Sequence, residues 1–402
     1  MFKDKNSFAF TASLLMLFST NLFAQQKFQA STVAFYNVEN LFDTKITADY
    51  IDGTRSYSDP LYHISIDVND IPKYDTVMFK GPYTYEAIEG KKIIRPLILQ
   101  EDEFSPNGKK FWTEERYRLK LKRLSEVISQ LGKEETQTAP VIVGLSEVET
   151  FQTVQDLADQ PALKPFNYGV IHFNSFDARG IDVALIYQKD RFQVTIAKPY
   201  PVEIRSIDGQ KSYTRDILRV SGLLDGEPFT FLVNHWPSRS GGEERSRPNR
   251  IRAAKVMKSI FDEVTALNPN EKIIAMGDFN DDPVSPSIKI EMATIGQKED
   301  IKPGDIYNPM ERMFKEGQGT LAYRDVWNLF DQFLMSSTLV ENDKKFESYK
   351  VYKTGIFNPP YLRTKSGPYK GYPHRMYGGD TFHSDGYSDH FPIYTILLRT
   401  IN

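Results

Sequence analysis

Short apolar runs that stop abruptly at polar residues punctuate this chain. Val33-Ala34-Phe35-Tyr36 gives way to Asn37-Val38-Glu39-Asn40, and the same pattern recurs at residues 141–145, 169–173, 182–187, 229–233, 273–276, 333–335 and 393–398. Runs of this length, rich in β-branched and aromatic residues and bounded by turn formers, predict buried strands. A different period marks the helices. Thr113 is placed as an N-cap with Glu114 and Glu115 in the first turn, and Tyr117, Leu121, Leu124, Ile128 and Leu131 trace one face until Gly132 ends it. Further helices are predicted at Val154 to Ala158 and Arg250 to Leu267. Many strands and few, long helices predict the α/β class: a four-layer α/β sandwich, two packed mixed β-sheets flanked by helices.

Residues 44–101 hold no sustained period and are rich in Asp, Tyr, Gly and Pro, which predicts an insertion with a few short strands. No repeat, Gly/Ser linker or low-complexity tract divides the rest, so residues 25–402 are expected to form one domain. Residues 1–24 have the order of an export signal: Lys3 and Lys5, an apolar stretch from Phe8 to Phe18, then Ala24 as the small residue before the cut, with Leu22 bulkier than the usual residue two places earlier. The apolar stretch is too short to span a bilayer as a stable helix. The mature protein is therefore expected in the periplasm or outside the cell, as a monomer with no integral membrane segment.

Composition narrows the chemistry. There are no cysteines, so disulfides and thiolate metal sites are excluded and any metal is held by oxygen or imidazole. The net charge of −3 neither implies nor excludes a nucleic-acid partner.

Reactive residues collect where the apolar runs end. Glu147 follows the run 141–145, and a carboxylate at the end of a strand buried on both faces has to be paired, hydrogen-bonded or bound to a cation. Asn37 ends the first run; alone, it would read as a turn former. In Gly277-Asp278-Phe279-Asn280, Asp278 and Asn280 lie two apart and are expected on one face, where an acid and an amide can hold a water and a phosphate oxygen; an Asx-turn is the plainer reading. His235 in Asn234-His235-Trp236-Pro237 ends another run, and a solitary histidine there is more often structural. His390 in Gly386-Tyr387-Ser388-Asp389-His390-Phe391-Pro392 has a carboxylate beside it, and Asp331 could orient its imidazole. Oxygen donors of this kind suit Mg²⁺, and two histidines suit proton transfer.

The ordered set Asn37-Val38-Glu39-Asn40, Ser146-Glu147-Val148, Asn234-His235 with Ser238, Gly277-Asp278-Phe279-Asn280, Asp331-Gln332-Phe333 and Ser388-Asp389-His390 resembles the endonuclease/exonuclease/phosphatase superfamily from about Thr32 to Leu398. The resemblance implies a metal-dependent phosphoesterase. It implies that Asn37 and Glu147 bind a cation, Mg²⁺ with Mn²⁺ or Ca²⁺ as substitutes, that Asp389 ligates it directly or through water, and that Glu39 contacts a second cation. Asp278 and Asn280 are implied to position water and the scissile phosphate, His390 to sit near the nucleophile held by Asp331, and His235 to donate to phosphate or leaving group. The acceptor of the water's proton is left open.

Substrate class rests on two clusters. Arg215, Arg219, Arg239, Arg245, Arg247, Arg250 and Arg252 are either a helix start with solvated charges or a phosphate-binding rim. Tyr361, Arg363, Tyr369, Lys370, Tyr372, His374, Arg375 and Tyr377 could stack bases or sugars, or pack as a lid. A phosphodiesterase acting as a nuclease is expected. The alternatives are a phosphatase or sphingomyelinase-like hydrolase of phospholipid or inositol phosphate, and a surface binding protein that keeps the fold without turnover. A glycosidase using Glu147 and Asp278 leaves the Asp389-His390 pair unexplained.

Overall fold

A computed structural model describes residues 27–52, 55–56, 59–60, 62–67, 69, 94–99, 102–177, 179–206, 209–340 and 345–401. The export signal, and most of residues 53–93 of the expected insertion, lie outside the described residues. Within the insertion, Thr47–Asp52, His63–Asp67 and Ile94–Leu99 form a three-stranded sheet.

Alternation along the first strand, Lys27–Leu41, sets the layers. Val33 and Phe35 point toward a core shared with Phe231, Val233, Ile274 and Met276. Ala34 and Tyr36 point the other way, toward Leu121, Leu124, Ile128, Val154 and Leu157 of the helices Glu114–Ile128 and Phe151–Ala158. Across the second sheet, Leu232, Ile273 and Ala275 meet Ala253, Met257, Ile260 and Val264 of the helix Glu243–Leu267. Period-2 strands thus feed two cores each, which is how four layers arise.

Both sheets are mixed. The first runs Lys350–Ile356, Ile393–Ile401, Lys27–Leu41, Ile142–Val148, Asp182–Gln188, Tyr168–His172, with a parallel pair between Lys27–Leu41 and Ile142–Val148. The second runs Thr294–Ile295, Ile306–Tyr307, Asp331–Ser336, Lys272–Asp278, Glu227–His235, Ile217–Leu224, Phe192–Tyr200, with a parallel pair between Glu227–His235 and Lys272–Asp278. Each parallel pair therefore ends at one edge of its sheet, where loops can gather chemistry. The predicted architecture is the one observed.

Thr113 caps its helix as expected, accepting from the Arg116 backbone N–H, although the helix closes at Ile128, short of Gly132. The helix expected from Arg250 starts at Glu243 and carries Pro248 inside it. Proline removes one hydrogen bond there, but Glu243 and Glu244 complement the helix N-terminus and the apolar face beyond secures the rest. No helix among the described residues is long and apolar enough to cross a membrane.

Candidate active site

Register brings the site together. His235 pairs with Asp278, and Asp278 with Asp331, in the second sheet. In the first sheet Asn37 lies opposite Ser146, with Glu147 in the irregularity that follows. Ile393 pairs antiparallel with Phe35, so the Ser388-Asp389-His390 loop that precedes it arrives at the end where Asn37 sits. Ser388 secures it there: its Oγ donates to the Asn37 carbonyl (2.7 Å) and accepts from the His390 N–H (3.2 Å).

Strand irregularities aim the side chains. Glu39, Asn40, Glu147 and Asn280 all have left-handed backbone, with φ of 52°, 58°, 63° and 50°. Such conformations are uncommon for residues with a Cβ and cluster where function demands them. The first strand continues past Asn37 through a register shift to Leu41, and Glu147 interrupts its own strand in the same way. Asn280 departs from the expected alternation for this reason. Its N–H closes an Asx-turn onto Asp278 Oδ1 (2.9 Å), and its Nδ2 donates to the Trp236 carbonyl (2.9 Å), so the turn and a place in the site coexist.

Asp278 is the pivot. Asn37 Nδ2 donates to its Oδ2 across the seam between the sheets (3.1 Å), and His235 Nε2 and His390 Nε2 lie 3.6 and 3.9 Å from the same oxygen. Burial pushes the Asp278 carboxyl up to about 7, with His390 opposing and Asp331 adding to the rise. His390 Nδ1 lies 2.7 Å from Asp331 Oδ2. Burial disfavours a charged imidazole, yet Asp331, then Asp278 and Asp389, overcome it and hold His390 well above the ordinary histidine range. His235 goes the opposite way: burial, then Arg215, Arg179 and His390, hold it well below, so it is neutral with an unpartnered Nδ1. Arg215 fixes its position by donating to the His235 and Trp236 carbonyls (3.2 and 2.6 Å).

A second group of acids lies beside this one. Glu147 Oε2 accepts from the Asn40 N–H (3.0 Å), and Glu147 Oε1 is 3.9 Å from His235 Nε2. Arg375 joins Glu39 (3.0 Å) to Asp389 (2.8 Å), while Lys120, buried in the apolar face of its helix, reaches Glu39 at 3.8 Å and donates to the Tyr387 carbonyl. Burial and the charge of Asp389 push Glu39 up to about 7 despite Lys120 and Arg375. Asn37, Glu39, Glu147 and Asp389 are hard oxygen donors carrying three carboxylates in a largely buried mouth, where Lys120, Arg375 and Arg179 now face them. That donor set fits a divalent cation such as Mg²⁺. Among the described residues no compact cluster of three or more His, Asp or Glu side chains is already drawn together as a cation cage.

All nine candidate residues fall in this neighbourhood. Lys120 and Arg179 were missed, and Ser388 was named in its motif without a role. Arg179 donates to Asn40 Oδ1 (2.7 Å) and lies 3.9 Å from Glu147. The sequence cue for Lys120 was a charge on the i, i+4 face shared with Leu124.

The expected rim of arginines is mostly internal structure. Arg215 pairs with Asp177, Arg219 with Glu263, Arg239 with Asp281 and Asp282, Arg247 with Glu243, and Arg250, fully buried, with Asp281. The Tyr-rich loop is divided. Arg375 and Tyr377 belong to the site and its wall, Tyr372 bonds Asp325, and Tyr369 is exposed.

The sequence pattern of the Endonuclease/Exonuclease/phosphatase family matches residues 94–399. The chain belongs to that family and is an enzyme of the phosphoesterase type. No curated protein matches it. Among solved structures it is similar to an endonuclease/exonuclease/phosphatase family protein from Bacteroides thetaiotaomicron (15% identity over 93% of this chain and 96% of the other, TM-score 0.46). It is also similar to a mannosyl-6-phosphatase from Bacteroides thetaiotaomicron (14%, 91% and 99%, 0.45) and to truncated TDP2 from Caenorhabditis elegans (17%, 70% and 91%, 0.42).

Proposed function

We propose that the protein is an exported, Mg²⁺-dependent phosphodiesterase that cleaves nucleic acid by in-line attack of water. The observation that carries this reading is the convergence of His390, oriented by Asp331, with Asn37 and His235 on one carboxylate, Asp278, beside the acidic donors Glu39, Glu147 and Asp389.

Asn37, Glu147, Asp389 and Glu39 would hold the cation, which when bound supplies Lewis-acid stabilisation of charge on the phosphoryl oxygens. The remaining steps belong to the chain. Asp278, its carboxylate fixed by Asn37 and by the Asn280 N–H, orients the attacking water and takes its proton. His390, kept charged by Asp331, presents Nε2–H to the phosphoryl group, where a preformed donor counts most as negative charge builds. His235, neutral and with its backbone held by Arg215, offers a ring N–H to a phosphate oxygen or the leaving group, and the Asn280 side-chain amide steadies the scissile phosphate.

Turnover of bis(p-nitrophenyl) phosphate, plasmid DNA, an inositol phosphate and sphingomyelin, each with Mg²⁺ and with chelator, tests the reading. Diester and DNA cleavage is expected, abolished by chelation and lowered about 10²- to 10⁴-fold in His390→Ala. A folded protein that turns over only monoesters, or nothing, overturns it.

A further inference from the structure

Two cavities open on either side of Arg179. One, of about 640 Å³, lies against the proposed cation donors and is lined by Glu39, Phe42, Phe104, Arg375 and Tyr377. The other, of about 660 Å³, is lined by Arg179 again and by Arg205, Thr214, Arg245, Asn249 and Arg252. Arg179 is the one residue the two linings have in common among the described residues, and the charged lining of the second is almost wholly cationic.

The second cavity is a groove built for an anion. One wall is a single face of the helix Glu243–Leu267, since Arg245, Asn249 and Arg252 recur at the helical period. The opposite wall is the hairpin that pairs Glu203–Arg205 with Lys211–Tyr213. The only carboxylate lining the groove among the described residues, Asp177, is committed to the buried Arg215 at 2.9 Å. Arg245 and Arg252 have no carboxylate within ion-pair distance among the described residues, and Arg179 only the 3.9 Å approach to Glu147. Arg205 alone is partly neutralised, by Glu203 at 3.4 Å. An independent observation points the same way: Thr214 is 2% exposed, and its hydroxyl has no hydrogen-bond partner. A buried hydroxyl left unpaired is costly unless something arrives to pair with it. Guanidinium forks match phosphate oxygens two at a time.

We propose that this groove binds a second phosphate of the substrate, the neighbouring phosphodiester of a single nucleic-acid strand whose scissile phosphate sits at Asp278 and His390. The inference rests on the phosphodiesterase reading and deepens it. Arg179 lines both cavities and so lies where the strand would pass from one to the other. The strand would then be gripped on both sides of the cleaved bond.

The test is the double variant Arg245→Ala/Arg252→Ala in the full chain, probed with a fluorescent pentathymidylate, with inorganic pyrophosphate and with bis(p-nitrophenyl) phosphate. Pentathymidylate affinity by anisotropy is expected to fall at least tenfold, and the slope of log affinity against log salt to shrink by about one to two. The rate on the small diester stays unchanged, and Arg245→Lys/Arg252→Lys recovers part of the affinity. Unaltered pentathymidylate binding and salt slope overturn the proposal, as does a loss confined to pyrophosphate. Anisotropy needs no turnover, so a protein inactive on every ester would defeat the phosphodiesterase reading while the binding result still decides the groove.

Discussion

Asp278 gathers contacts from both sheets, and its burial sets the first expectation. A carboxyl pushed up to about 7 is protonated in acid, and a protonated Asp278 cannot accept from water. Activity is therefore expected to fall on the acid side by about tenfold per pH unit, a slope of one proton. Asp278→Asn should leave a residue of activity that is flat over the same range. A stopped-time assay of kcat/KM from pH 5 to 9 checks both. These residues were legible because each stands at one end of an apolar run, where polar residues gather for capping or for function. Lys120 and Arg179 were not, because what defines them is a partner far away in sequence: Arg179 meets Asn40 across 139 positions, and nothing local to Arg179 announces it.

Elements carry two further expectations. Gly277 precedes the pivot in a parallel pair, and a Cβ there would stand 2.4 Å from the Asn234 carbonyl oxygen, a backbone atom that cannot swing aside. Gly277→Ala should force apart the strands that carry His235 and Asp278, costing about 1 to 3 kcal/mol and roughly 10²-fold in rate through misplacement; urea melts and kcat measure the two. At the far end of the strands Arg191 ties the sheets, donating to Ser31 Oγ (2.7 Å) and to Asp225 Oδ1 and Oδ2 (2.6 Å each), while Tyr349 OH donates to Asp225 Oδ2 (2.6 Å). Burial would raise the Asp225 carboxyl, but the bonds from Arg191 and Tyr349 outweigh it and hold it below the usual carboxylate range. A depressed folded-state pKa means stability present above the unfolded value near 4 and lost as pH falls through the folded value. Asp225→Asn should cost about 1 to 2 kcal/mol at pH 7 and progressively less as pH falls through the folded-state value, measured by denaturant melts across the acid range. Edge strands were the least readable elements. Phe192–Tyr200 and Lys350–Ile356 alternate exposed Gln193, Lys198 and Tyr352 with partly covered residues, so no apolar run marks them. Ile217–Leu224 was hidden because Arg219, Ser221 and Gly222 interrupt it, and Arg219 is neutralised by Glu263 on a distant helix.

At the scale of the molecule, the sandwich was readable because each strand feeds two cores and its alternation says so. How the arginines are used was not, since a cationic run looks the same whether its partners are carboxylates of the chain or phosphates from outside. Acid donors crowded in one mouth give a last expectation. If, as proposed, Mg²⁺ binds the folded chain and not the unfolded one, it should raise Tm, by the equivalent of about 2.7 kcal/mol at about a hundredfold excess over Kd, with Glu147→Gln abolishing the gain. Differential scanning fluorimetry with and without the ion reads it directly.

Asn37 rides on one sheet and Asp278 on the other, joined at the mouth by an amide-to-acid bond, with His390 and Asp331 meeting across the same seam. The reactive centre is thus a joint between two plates, each rigid in itself, and its geometry survives only while they stay in step. On the proposed reading, an ion or a strand of phosphates bridging the joint would act as a rivet, and the protein is expected to be stiffest when it is loaded for work.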